Sequence, residues 1–308
     1  MTKHLLSIYD LNEKAIKNLL LLSAAIKNSK KYNNILSGKT LGLIFEKPST
    51  RTTVSFAVAM YQLGGYPLIL QAQNLQRQRG ETLHDTAKTL SRYLDGVVIR
   101  AFKHSDVQEF ARGSSMPVIN GLTDLEHPCQ ALGDMLTIME KKKLKNFKDF
   151  KKIKIVFVGD GNNMANSLIG ACAFMGCNFV ISGPDGYSPN QILLKKAEAI
   201  AKKTGAKIEI NNNPQKAVEG ADIIYTDVWT SMGEENERSE RLKAFKSYQV
   251  NKNLLNLAKK DCIVMHCLPA IRGEEISAEV MDGPNSVVFD QAENRLHVQK
   301  AVLVYLLK

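Results

Sequence analysis

Short apolar runs alternate along this chain with longer segments whose apolar residues recur every three to four positions, and that alternation limits the folds open to it. In the first half, "TLGLIFE", "YPLILQ", "GVVIRA" and "MPVIN" read as strands. Between and after them, "TTVSFAVAMYQLG", "ETLHDTAKTLSRYL", "SDVQEFARGS" and "PCQALGDMLTIMEKKK" read as amphipathic helices. Strands separated by helices pair in parallel, because a parallel neighbour needs a crossover connection. A second series follows: "KIKIVFVGD", "NFVISGP", "KIEINN", "DIIYTDVW", "CIVMHCLP" and "SVVFDQ" as strands, with helices over 163–175, 190–204 and 215–218. The expected fold class is α/β, with two domains, each a parallel sheet flanked by helices.

A length of 308 residues suits two domains. The lysine-rich run "KKKLKNFKDFKK" (141–152) marks the boundary between them. The expected division is 1–140, 141–290, and a C-terminal amphipathic helix over 291–308 that packs back on the first domain. Near the N-terminus, Asp10 and Glu13 have the spacing of a helix cap and its reciprocal partner.

The formal net charge is +10, with much of the excess in the lysine run and on helix faces. Aromatic-studded basic motifs of nucleic-acid binders are absent, so no nucleic-acid partner is expected. A positive field also suits an anionic substrate. No apolar run is long enough to span a bilayer, and the N-terminus lacks a signal-peptide pattern. A cytoplasmic protein without membrane contact is the simplest expectation. The five cysteines are an odd, scattered set, which argues against a disulfide framework. Cys129, Cys172, Cys177 and Cys262 read as core residues, and no metal site is expected from their spacing.

Ligands of open parallel sheets bind beyond the carboxyl ends of the strands. "FEKPSTRTTVSF" (45–56) puts Ser49, Thr50, Arg51, Thr52 and Thr53 where the first strand turns into a helix. A helix N-terminus with several hydroxyls and a guanidinium suits a phosphate. Ordinary capping needs only one hydroxyl. Gln76 lies beyond the second strand and Arg100 at the end of the third. "EHPCQ" sets His127 and Gln130 around a helix-starting proline, where they can polarise a carbonyl. "GDGNN" lacks the glycine order of a dinucleotide loop, and its asparagines suit a polar substrate. "DVWTSMG" offers Asp227, a partner for an ammonium, with Ser231 and Met232. "HCLP" places Cys267 at a strand end.

Taken in order and spacing, "FEKPSTRT", "HPCQALGD", "GDGNN", "DVWTSMG" and "HCLP" resemble the aspartate/ornithine carbamoyltransferase family over almost the whole chain. "HPCQ", "DVWTSMG" and "HCLP" resemble its ornithine-using branch. That resemblance implies transfer of a carbamoyl group from carbamoyl phosphate to the δ-amine of L-ornithine, with no metal or organic cofactor. It implies that carbamoyl phosphate is held by Ser49, Thr50, Arg51, Thr52, Gln76, Arg100, His127, Gln130, Cys267, Leu268 and Arg295, with Gln76 reaching in from a neighbouring subunit of a homotrimer. Asn163, Asp227, Ser231 and Met232 match the ornithine contacts. The catalytic group implied is Arg100, His127, Cys267 and Asp227. Ordered binding with domain closure is implied too, the "SMG" loop acting as a lid.

Four positions depart from the family pattern. Thr53 and Ala57 stand where an arginine and a glutamate are usual, which reads as the paired loss of one supporting contact. Gln78 replaces a frequent glycine, and Ile271 a frequent histidine.

Overall fold

The computed structural model of the protein describes residues 3–76, 80–231 and 233–308. The chain divides into two units, Met1–Leu136 with Glu293–Lys308, and Thr137–Ala292. The division falls inside two helices rather than in a loop.

In the first unit, α1 (Glu13–Lys27) precedes β1 (Thr40–Phe45), α2 (Thr50–Gln62), β2 (Tyr66–Gln71), α3 (Leu83–Leu90), β3 (Gly96–Arg100), α4 (His104–Gly113), β4 (Val118–Leu122) and the start of α5 (Pro128–Lys141). Among the described residues, its sheet has four strands in the order β2-β1-β3-β4, all parallel. Phe45 pairs with Arg100, and Arg100 with Leu122 after a register shift, so β1, β3 and β4 end at one edge. The central strands are Val/Ile/Leu-rich because both faces are covered. Ile44, Val97 and Ile99 pack with Ala87, Val107 and Phe110 from the crossover helices.

The second unit contains β5 (Lys154–Val158), α6 (Asn163–Met175), β6 (Asn178–Ser182), α7 (Gln191–Thr204), β7 (Lys207–Ile210), α8 (Pro214–Val218), β8 (Ile223–Thr226), α9 (Arg238–Ala244), α10 (Lys252–Leu255), β9 (Ile263–His266) and α11 (Ala278–Met281). Its parallel sheet runs β7-β6-β5-β8-β9. The order reverses at β5, so the loops after β5 and β8 leave adjacent strands, as at the crevice of doubly wound sheets. Val156, Val158, Ile224 and Val264 form its core with Trp229 and Phe245. The last helix, α12 (Val288–Leu307), belongs to the first unit from Glu293 onward.

Two local expectations are corrected. "SVVFDQ" is not a strand: Ser286 makes one isolated bridge to Val264, and Val288 already begins α12. The run continues directly into the helical periodicity of "AENRLHVQKAV", and its backbone follows the longer pattern. At the N-terminus, Asn12 caps α1 by accepting from the Ala15 N–H at 2.8 Å, while Asp10 closes a separate capping box with Ser7. No described helix is long and apolar enough to cross a membrane. All five cysteines are free; Cys129, Cys172, Cys177 and Cys262 are buried and Cys267 is half-buried.

Candidate functional site

The first cluster gathers at the strand ends of the first unit. Ser49 caps α2: its hydroxyl oxygen accepts from the Thr52 N–H at 3.2 Å. Thr53 donates its hydroxyl to the Ser49 carbonyl at 2.6 Å. The hydroxyl-rich run is therefore partly spent on building the helix start. The Ser49 and Thr52 hydroxyl oxygens both accept hydrogen bonds, while Thr53 uses its hydroxyl as a donor. Thr50 is exposed and Arg51 half-buried at the same turn.

Arg295, from α12, ties this turn to α5. Its guanidinium donates to Thr52 Oγ1 at 3.2 Å and to Gln130 Oε1. Gln130 in turn donates to Asp134 at 2.8 Å. Arg100 is buried at the end of β3, and His127 is buried just before α5. Burial, then Arg295, Arg100 and Arg51 in that order, hold the His127 pKa well below the usual imidazole range. A neutral imidazole among three guanidiniums offers one N–H donor without adding charge. Lys47 is buried on the β1–α2 loop, with its ammonium 4.4 Å from the centre of the Phe102 ring. Gln76 lies outside this cluster's hydrogen bonds, exposed beyond β2.

A second cluster forms at the strand ends of the second unit, around the buried Asp227 carboxylate. Cys267 donates its thiol to Asp227 Oδ1 at 3.0 Å, and the Val228 N–H reaches the same oxygen at 2.9 Å. Asn162 donates its amide to Oδ2 at 2.9 Å. The Asn162 carbonyl oxygen caps α6, accepting from Met164 and Ala165. Asn163 is thus the first residue of α6. The second glycine of "GDGNN" serves packing, since a Cβ on Gly161 would sit 2.3 Å from the Pro189 nitrogen, whereas Gly159 has a φ of +147°.

The "HCLP" turn is braced by residues of no obvious motif. His266 Nδ1 accepts from the Leu268 N–H at 2.8 Å, and its Nε2 lies 3.0 Å from Glu275. Glu275 also accepts from the Ile271 N–H at 2.6 Å, and both His266 and Glu275 are fully buried. The His266 N–H is taken by Gln291 at 2.9 Å. This bracing holds Leu268 at a φ of +61°, a conformation costly for a branched residue. Among the described residues, Asp227, His266 and Cys267 have ligand atoms close enough to share a metal ion. Both imidazole nitrogens already have partners, so a metal there would first displace one of them.

Arg241 braces the loop after β8. It donates to Asp160 at 2.7 Å, to the Trp229 carbonyl at 3.1 Å, and to Glu237 at 2.9 Å, and pairs with Glu234 at 3.2 Å. Glu234 accepts from the Ser231 N–H at 3.0 Å. Burial pushes the Asp160 carboxyl up to about 6 despite the guanidinium.

Among the residues singled out from sequence, Ser49, Thr52, Arg51, Arg100, His127, Gln130 and Arg295 come together in the first unit. Asp227 and Cys267 meet in the second, with Leu268 on the braced turn, Asn163 beside Asn162, and Ser231 tied to Glu234. Met232 and Gln78 lie outside the described residues. Sequence reasoning passed over Arg241, Glu275 and Gln291, which themselves lie outside every motif singled out. Thr53 and Ala57 are half-buried, and Thr53 bonds its own helix start. The Ile271 side chain is likewise half-buried, and its backbone N–H is bonded to Glu275.

The first unit thus gathers three guanidiniums around a neutral histidine, and the second sets a buried carboxylate against a thiol. Residues 3–140 match the aspartate/ornithine carbamoyltransferase carbamoyl-P binding domain, and residues 151–306 match the Asp/Orn binding domain. The chain belongs to the aspartate/ornithine carbamoyltransferase family. It is 53% identical over 305 residues to an ornithine carbamoyltransferase of Methanothermobacter thermautotrophicus, covering 99% of each chain. Its fold matches the ornithine carbamoyltransferase of Pyrococcus furiosus with a TM-score of 0.93 and 51% identity, over 98% of this chain and 96% of that one. The anabolic ornithine carbamoyltransferase of Campylobacter jejuni matches with a TM-score of 0.93 and 40% identity, over 99% of both.

Proposed function

We propose that this chain transfers the carbamoyl group of carbamoyl phosphate to the δ-amine of L-ornithine, giving L-citrulline and phosphate. The observation that carries the reading is the neutral His127 held among Arg51, Arg100 and Arg295. Such a cradle suits a donor that ends in a phosphate and carries a carbonyl. Residues 1–140 act as the donor domain, 141–290 as the acceptor domain, and 291–308 return Arg295 to the donor side.

In this mechanism Ser49, Thr50, Arg51 and Thr52 bind the phosphate. Arg100 and His127 donate to the carbonyl oxygen as negative charge develops on it. Gln130 binds the carbamoyl amide, and Cys267 and Leu268 line the same carbamoyl site. A neutral histidine costs no charge repulsion with the guanidiniums while donating. Phosphate leaves with the electron pair of the broken C–O bond, stabilised by Arg51. The attacking amine must be neutral, and an alkylammonium has a pKa of about 10.4 in water. Desolvation and a neighbouring positive field both favour its neutral form.

On the acceptor side, Asp227 faces the α-ammonium of ornithine, with Asn163, Ser231 and Met232 around the amino-acid end. The Asp227 hydrogen bond engages Cys267 as a donor, which suits orientation of the acceptor rather than covalent catalysis.

The same reading includes a homotrimer in which Gln76 completes a neighbour's donor site. Strand β2 is the outer strand of its sheet, and Tyr66, Ile69, Val54 and Tyr61 are exposed there and on α2. An exposed apolar sheet edge is a surface that association covers. A cytoplasmic role in arginine metabolism accompanies this proposal. The test is a citrulline colour assay with carbamoyl phosphate and ornithine, putrescine or aspartate. Product with ornithine alone supports the reading, and product with aspartate instead, or with none, refutes it.

A further inference from the structure

The end of α1, the segment after it, the end of α2 and the middle of α12 line an open cleft of about 1060 Å³ in the first unit. Lys300 lines it, is only 8% exposed, and makes no hydrogen bond or ion pair among the described residues. Partial desolvation of an ammonium without a counter-charge costs free energy. Burial accordingly pushes the Lys300 pKa down. His297 lines the same cleft; its Nδ1 is buried without a hydrogen-bond partner, and its Nε2 lies 3.3 Å from Glu293. Lys27, Lys30 and Lys39 complete the basic lining. Two carboxylates oppose them: Glu293 lies 3.7 Å from Lys27, and Asp95 lies 2.9 Å from Lys39. Lysines outnumber these carboxylates, and the most buried of them, Lys300, has no partner among the described residues.

We propose that this cleft is a second anion site that takes a small multivalent anion, with Lys300 as its buried anchor and Lys27 and His297 beside it. The anion supplies the counter-charge that Lys300 lacks. The cleft is separate from the Arg51 cluster. Arg51 sits in the first turn of α2, whereas Tyr61 and Gln62 of the last turn line the cleft, about 15 Å away along the helix at 1.5 Å per residue. Binding should also take up a proton. Burial, then Lys27 and Lys300, hold His297 low, against Glu293, which raises it. An anion adds a further negative charge beside the ring and favours imidazolium. Affinity should therefore rise as pH falls from about 7.5 to about 6.

Calorimetric titration of pyrophosphate and of citrate into the whole protein tests this, in two buffers of different ionisation enthalpy. The variants are Lys300→Met, Lys300→Arg, Lys27→Gln and Arg51→Ala, each checked for wild-type melting. Wild type and Arg51→Ala should share one site for at least one of the two anions, with proton uptake. Lys300→Met should weaken that site roughly tenfold to a hundredfold, the size of one charge-assisted hydrogen bond. Lys300→Arg should retain it and Lys27→Gln should weaken it. Unchanged stoichiometry and affinity in both Lys300→Met and Lys27→Gln overturns the proposal. So does a protein whose only anion site disappears in Arg51→Ala, a result that leaves the transfer reaction standing.

Discussion

Cys267 donates its thiol hydrogen to Asp227 Oδ1 across 3.0 Å, while the Asn162 amide holds the other carboxylate oxygen at 2.9 Å. The carboxylate is thereby fixed between two strand ends and aimed by groups that do not neutralise it. Replacing Cys267 by serine keeps a donor of similar size. Cys267→Ser should leave carbamoyl phosphate binding largely intact, retain turnover and raise the KM for ornithine. Rapid quench with carbamoyl phosphate alone, followed by mass spectrometry, should show no carbamoylated Cys267. A trapped adduct would make the thiol a nucleophile.

The Asp160–Arg241 pair sets a pH dependence of stability. Burial raises the folded-state pKa of Asp160 to about 6, above its ordinary value of 3.8. Between these values the folded protein binds more protons at this carboxyl than the unfolded chain does. Stability at this site therefore falls as pH rises from about 4 to about 6, by at most about 3 kcal/mol, and is flat above. Asp160→Asn cannot titrate. Melting curves from about pH 4 to pH 7 should show the wild type losing stability relative to Asp160→Asn as pH rises. Parallel curves for the two proteins would contradict the raised pKa.

Glu275 is a positioning residue for the "HCLP" turn. Glu275→Leu should strand the Ile271 N–H and the His266 ring N–H, each at about 1–3 kcal/mol. Urea unfolding should show a loss of about 2–5 kcal/mol. Glu275→Gln keeps an acceptor oxygen and should lose less. Because the turn carries Cys267, kcat/KM for ornithine should fall further in Glu275→Leu than in Glu275→Gln. Equal stability of both variants and wild type would remove Glu275 from this role.

Gln76 offers a test of subunit sharing. Arg51→Ala and Gln76→Ala proteins, mixed, dissociated and reassociated, should regenerate sites carrying both native residues. Activity above the sum of the parents is expected. If the mixture never exceeds that sum while wild type survives the same treatment, Gln76 acts only within its own chain.

The parallel strands were legible in the sequence because their apolar runs are short, β-branched and bounded by polar strand ends. Arg51, Arg100, His127, Asp227 and Cys267 were legible because each lies at or just beyond a strand end, where parallel sheets bind ligands. "SVVFDQ" misled because an apolar run that opens a helix resembles a buried strand. The bracing of the site was not legible at all. Arg241 meets Asp160 eighty-one residues away in sequence, and Glu275 meets His266 only because the intervening turn folds back. Such pairs follow from tertiary packing and leave no periodic trace. The hydroxyl run was half legible: Thr52 joins the arginine cluster through Arg295, but Thr53 is consumed by the helix start.

Carbon-13 NMR of labelled carbamoyl phosphate with ornithine tests the transfer and its arginine cradle together. Wild-type protein should move the label into citrulline with one phosphate released per citrulline. Arg51→Ala should bind carbamoyl phosphate more weakly by about 1.5–3 kcal/mol, the range for a hydrogen bond to a charged group, and transfer correspondingly less label at limiting donor. Label lost to hydrolysis without citrulline, or equal transfer by wild type and Arg51→Ala at limiting donor, would contradict the assignment of this chain's chemistry to that cradle.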